Sequence, residues 1–276
     1  NRYWNSPENS SANRLPMLSI EHYETIALDG IWRFQLLASP IDDSRKRWSK
    51  IEVPGMWTAH EQDEIFFDQP VLTDGNFPFE EKFLALPAEN PTGIFERDFD
   101  LPKSWEGRRI VIHLGGFQSV ASISINGREA GFSKDSRIFS EFDISDLIKH
   151  GKNSIQITVV KFSDATYVEN RNQWLHAGLT RSVKIYATEH VFIERVITQA
   201  TLKSNKKSGT LSLEAHINTS DGKSADGYTF RAQIGDLPVR KATKMEKFIS
   251  GDLKVNFEIN VDGITPWSAE NPHLYN

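Results

Sequence analysis

A chain of 276 residues is longer than one average domain and suits two, because single hydrophobic cores stop growing at about 250–300 residues. Its 38% hydrophobic and 25% charged residues are ordinary for a globular protein, and no run nears the roughly 18–20 apolar residues of a membrane span. A net charge of −5 without a basic patch excludes nucleic acid and anionic membrane as expected partners, and the absence of cysteine excludes disulfides and thiolate metal sites.

A cysteine-free chain whose first residues, Asn1-Arg2-Tyr3-Trp4-Asn5, lack a signal-peptide pattern leads to the expectation of a cytoplasmic protein. Apolar residues then recur at period two, in short runs closed by Gly, Pro, Asn or Asp. Ile110-Val111-Ile112-His113-Leu114 precedes Gly115-Gly116. Ala121–Ile125 runs into Asn126-Gly127, the strongest hairpin signal in the chain. One helical turn is expected at Ile144–Ile148, with Gly151 ending it. Ser154–Val160 alternates as a half-buried antiparallel strand should, and Ser182–Tyr186 does likewise. Beyond 188–192 the texture changes to strands of six or seven residues, beginning with Phe192–Ile197 and Leu211–Ile217. This predicts an all-β protein: a sandwich or jelly roll, followed by a small immunoglobulin-like sandwich. The final stretch, Pro266 to Asn276, carries Trp267, two prolines and Leu274-Tyr275, and reads as a packed connector.

Chemistry is sparse. The adjacent carboxylates Asp42-Asp43, Asp63-Glu64 and Glu80-Glu81 would point to opposite faces of a strand, and so cannot face each other across a glycosidic bond. His60-Glu61 opens like a zinc-protease helix, but position 64 is Glu where a second His is required. His113, inside an apolar strand, reads as a satisfied core histidine, and Trp32 and Trp105 as core. No catalytic residue is predicted. One segment stands out: residues 161–181 gather Asp164, Tyr167, Glu169, Asn170, Arg171, Asn172 and Trp174 after a strand. Fixed polar groups beside an exposed aromatic suit a sugar, whose hydroxyls need directional hydrogen bonds and whose apolar face stacks on a ring. The residues alone leave a second reading open, a long irregular loop with one buried Trp.

Nearly the whole chain resembles the first two domains of the large β-galactosidases of glycoside hydrolase family 2. The likeness rests on Leu28-Asp29-Gly30-Ile31-Trp32-Arg33-Phe34, on Glu89-Asn90-Pro91-Thr92-Gly93, and on Lys134-Asp135-Ser136-Arg137 through Asp143. It continues with Phe162-Ser163-Asp164 through Trp174 to Arg181, and closes on Trp267 to Tyr275. The resemblance implies a jelly-roll sugar-binding domain over 1–188, with 1–12 as an extended arm, and an immunoglobulin-like domain over 189–276. It also implies a catalytic (β/α)₈ barrel that these residues do not contain. The parent enzyme would hydrolyse terminal β-galactosides such as lactose with retention, while this portion by itself would be inactive.

By the same resemblance Asp164 would sit beside the galactose and help hold a sodium ion, with magnesium elsewhere in the parent and no cofactor in this portion. Asp74, where relatives commonly carry Asn, would be the second substrate-binding position. A carboxylate there accepts from a hydroxyl but cannot donate as an amide does. Asp135 and Arg137 would tie loops together. The expected partners are the β-galactoside substrate, the barrel of the same enzyme and further copies in a homo-oligomer. A free-standing carbohydrate-binding module, or a family member of another sugar specificity, is the alternative.

Overall fold

The computed structural model describes residues 3–18, 20–44, 47–59, 61–62, 65–73, 85–169, 172–220, 225, 227–235, 240–244 and 253–275. It divides into two compact units, the first formed by Asn1–Met17 and His22–Ala187, the second by Leu18–Glu21 and Thr188–Asn276.

The first unit is a sandwich. Its larger sheet has seven strands in the order Ser11–Ala12, Arg128–Ser133, Val120–Ile125, Gly151–Val160, Thr92–Leu101, Gly30–Leu37 and Ser49–Val53. The smaller sheet orders Ser140–Asp143, Arg109–Leu114, Val183–Thr188 and Thr25–Ala27. Alternation decides which side chains enter the core: Ile155, Ile157 and Val159 are fully buried while Ser154 points to solvent. Phe34, Trp57 and Phe95 pack at the centre, with the rings of Phe34 and Phe95 4.9 Å apart. Burying each such ring stabilises by roughly 1.5–3 kcal/mol. Trp32 is 1% exposed and donates its indole N–H to Leu28 O at 2.7 Å, so the core carries no stranded donor there. Trp105 is buried as expected. Asn126 and Gly127 both adopt positive φ, at 53° and 77°, and join Ile125 to Arg128 as a two-residue hairpin requires.

Three expectations need correction. The turn near 144–148 is a 3₁₀ turn over Ser145–Leu147, and Gly151 opens the next strand at φ 70°. The 3₁₀ geometry follows from the chain turning back at once, which leaves no room for a longer helix. His113 is outside the core: its side chain is 18% exposed, because alternation sends it to the outer face while Ile112 and Leu114 point inward. Three strands of the second unit are longer than six or seven residues. Val191–Leu202 and Ser208–Thr219 have twelve each and Leu253–Asp262 has ten. No Gly or Pro interrupts 191–202 or 253–262, so nothing stops the pairing early.

The second unit pairs those three strands in one sheet and Thr229–Gln233 with Arg240–Lys244 in another. Ala215, Ile217, Phe230 and Ile259 lie at its buried centre. In the final stretch Trp267 is 62% and Leu274 77% exposed, so neither is packed by the described residues. A turn between Ser268 and Asn271, together with Thr265 N–H donating to the Tyr275 hydroxyl at 2.7 Å, orders the stretch.

Candidate functional site

The strand Gly151–Val160 delivers the chain into the segment that carries Asp164, and several bonds fix its exit. The Asn90 side chain accepts from Phe162 N–H and donates to Phe162 O, both at 2.9 Å. The Ser119 and Ser163 hydroxyls meet at 2.7 Å. Ser163 N–H donates to Thr166 Oγ1 at 3.0 Å, which starts the one-turn helix Thr166–Glu169. Asp164 therefore sits just past the strand end, outside the apolar core.

Its carboxylate is covered rather than open. Lys134 Nζ lies 2.6 Å from Asp164 Oδ1 and also donates to Ser6 O at 2.6 Å, while Asp164 N–H donates to Trp4 O. The two side chains are 6% and 11% exposed. The N-terminal arm thus roofs an ion pair with no signature in local sequence, because its partners stand 30 residues apart. A hard-cation site needs several oxygen donors. Among the described residues no group of three or more His, Asp or Glu side chains is placed to hold a metal ion, and the side chain beside Asp164 is that of Lys134.

Beyond the helix the chain forms Gln173–Leu175, which pairs with Val71–Thr73. Trp174 stands opposite Leu72, and both are solvent-facing, at 57% and 45% exposure. The buried-Trp reading of this loop is therefore excluded. Glu169 lies behind this ribbon. Burial raises its carboxyl above the usual carboxylate range, against the opposing pull of Arg137, whose guanidinium is 3.8 Å away. Arg137, at φ 69°, also donates to Gln173 Oε1 at 3.2 Å, and Asp135 pairs with Arg14 at 2.7 Å. Both residues tie loops together. A second covered cation, Lys161, holds Asp68 Oδ2 at 2.6 Å and Gln69 O at 2.7 Å, and the Trp57 indole donates to the same carboxylate at 3.1 Å. This anchors the start of the Val71–Thr73 ribbon to the sandwich. Asp74 lies outside the described residues, as do Asn170 and Arg171.

The segment thus carries a covered carboxylate in fixed orientation and, further on, a ribbon that presents an indole, Leu72 and Gln173. Such a surface can hydrogen-bond hydroxyls and stack on a sugar face. Sequence reasoning singled out Asp164 and Trp174. It missed Lys134, Lys161 and Asp68, whose only signal was a Lys placed in or beside otherwise apolar strands.

Comparison with known proteins gives a consistent picture. The profile described as "Glycosyl hydrolases family 2, sugar binding domain" matches residues 26–189, and that described as "Glycosyl hydrolases family 2" matches residues 191–276. A beta-galactosidase from Psychromonas ingrahamii is 29% identical over 90% of this chain and 25% of its own length. One from Kluyveromyces lactis is 30% identical over 98% of this chain and 29% of its own. The chain spans between a quarter and a third of the length of these curated relatives. Among solved structures, a beta-glucuronidase from glycoside hydrolase family 2 superposes with a TM-score of 0.67 at 20% identity, covering 91% of this chain and 28% of that one. A putative beta-galactosidase from Bacteroides fragilis gives 0.69 at 16%, covering 90% and 37%.

Proposed function

This chain belongs to glycosyl hydrolase family 2, and from that membership we propose that it is the non-catalytic amino-terminal portion of a β-galactosidase that hydrolyses terminal β-D-galactosides such as lactose with retention. The catalytic carboxylates would lie in a (β/α)₈ barrel outside these 276 residues, and the segment carrying Asp164 would form one wall of the sugar site. The observation that carries this reading is the placement of Asp164 and the solvent-facing Trp174 on one braced segment at the end of a strand. Relatives named beta-galactosidase, matched over nearly the whole chain, support the sugar. In this reading Asp74 is the second substrate contact, the barrel is the intramolecular partner, and the parent is a cytoplasmic homo-oligomer. In this reading Asp164 supplies one oxygen to a sodium ion, and a magnesium site belongs to the parent.

The test is hydrolysis of β-galactosides by the product of the complete reading frame that contains this chain. The expected results are cleavage with retention, no turnover by the 276-residue chain alone, and a loss of kcat/KM in Asp164→Asn. Cleavage of β-glucuronides but not galactosides would overturn the sugar assignment. Saturable binding of galactose by the isolated chain in a calorimetric titration would favour a self-sufficient carbohydrate-binding module instead.

A further inference from the structure

The outer face of the four-stranded sheet in the first unit carries an open cleft of about 630 Å³, and no residue of the 161–175 segment lines it. Its lining includes His113, Phe139, Arg181 and Lys184. The acidic groups nearby are held by hydrogen bonds, and one of them, Asp29, lines the cleft itself. Glu141 takes the Nδ1 proton of His113 at 2.8 Å and the Tyr186 hydroxyl at 3.2 Å, while Asp29 Oδ1 accepts Val183 N–H at 2.9 Å. The cations are not: the Arg181 guanidinium and the Lys184 ammonium have no hydrogen-bond or ion-pair partner among the described residues.

Arg181 is held by its stem. A Cβ on Gly115 would come within 3.0 Å of Arg181 Cβ and 2.8 Å of Ser182 O, and one on Gly116 within 3.4 Å of Arg181 Cγ and Cδ. The glycine pair thus leaves a groove that the arginine chain fills, so its guanidinium is presented with less conformational freedom than a free surface arginine has. Phe139 stacks on His113 with ring centroids 5.2 Å apart and gives the cleft one apolar wall.

We propose that this cleft binds a small oxyanion, phosphate or carboxylate, between Arg181 and Lys184, with the body of the ligand against Phe139. A fork of guanidinium N–H groups fits either anion bidentately, and the ammonium adds a second point charge.

The experiment is a titration of the 276-residue chain at low ionic strength, followed by backbone amide shifts, with inorganic phosphate, with galacturonate and with neutral galactose. A saturable response to phosphate, to galacturonate or to both is expected, centred on residues 113–115 and 181–184. Which of the two responds identifies the anion class. Affinity should fall about tenfold or more in Arg181→Gln and in Lys184→Gln, and stay unchanged in Lys207→Gln on the second unit. Melting temperatures of the variants check that each is folded, and Arg181→Lys, which keeps the charge and loses the fork, should bind with intermediate affinity. No saturable response to either anion, or a response undiminished in Arg181→Gln, would overturn the proposal.

Discussion

Lys134 and Asp164 form an ion pair of 2.6 Å beneath the N-terminal arm, with both side chains almost entirely withdrawn from water. A cation and an anion placed there compensate each other's charge where little solvent reaches either. Lys134→Met leaves the carboxylate uncompensated and is expected to cost on the order of 3–5 kcal/mol, read as a lowered urea midpoint. The double change Lys134→Met with Asp164→Leu should recover most of the loss, since the penalty comes from the stranded charge. An unaltered midpoint in the single variant would mean that the pair contributes nothing.

Glu169 supplies a pH test. Burial raises its carboxyl in the folded chain, so the native state binds the proton more tightly than the unfolded state does. Its contribution is then full below the ordinary glutamate range and is lost as pH rises through the raised value. Glu169→Gln should melt higher than the parent sequence at pH 7–8 and no differently near pH 4. A difference that grows on acidification instead would reverse the sign and refute the assignment.

Gly178 should tolerate no side chain. It adopts φ 144°, and a Cβ would stand 2.5 Å from Gly55 O and 2.7 Å from Met56 Cα in the strand it pairs with. Gly178→Ala is expected to destabilise by about 1–3 kcal/mol or more through overpacking. Gly107, at φ 72° with nothing within 4 Å of where a methyl would stand, isolates the backbone component; alanine there should cost about 1 kcal/mol. Thermal or denaturant melts of the two variants compare them directly.

Trp174 should behave as a binding residue rather than a packing one. With 57% of its surface exposed, Trp174→Ala should change stability by no more than about 0.5 kcal/mol. In the complete enzyme of the proposed function the same change should raise KM for a β-galactoside more than it lowers stability. A large drop in melting temperature would assign the ring to structure.

The period-two pattern made the strand ending at Val160 readable, and Asn126-Gly127 made its hairpin readable, because both signals are local. Asp164 at a strand end followed from the first of these. Its surroundings did not: Lys134 stands 30 residues earlier, and Trp4 and Ser6 more than 150 residues earlier, a distance over which no periodicity speaks. His113 misled because its neighbours are apolar on both sides, and only the opposite sheet decides which face is inside. Trp174 could be read as buried or exposed until Gln173–Leu175 was seen to pair with Val71–Thr73, an edge ribbon lacking a layer above it among the described residues. The cleft at Arg181 left no trace in the sequence, since Gly115-Gly116 reads simply as a turn.

The N-terminal arm also sets an order of events. Tyr3 bonds Ser122 across 119 positions and Ser6 receives Lys134 across 128, so these residues find their partners only after most of the first unit has been made. Closing so long a loop is entropically slow, and the arm gains nothing until the sheet it lies on exists. Within the first unit, what is synthesised early is therefore fastened late, and until then the carboxylate at 164 has its lysine but not its roof.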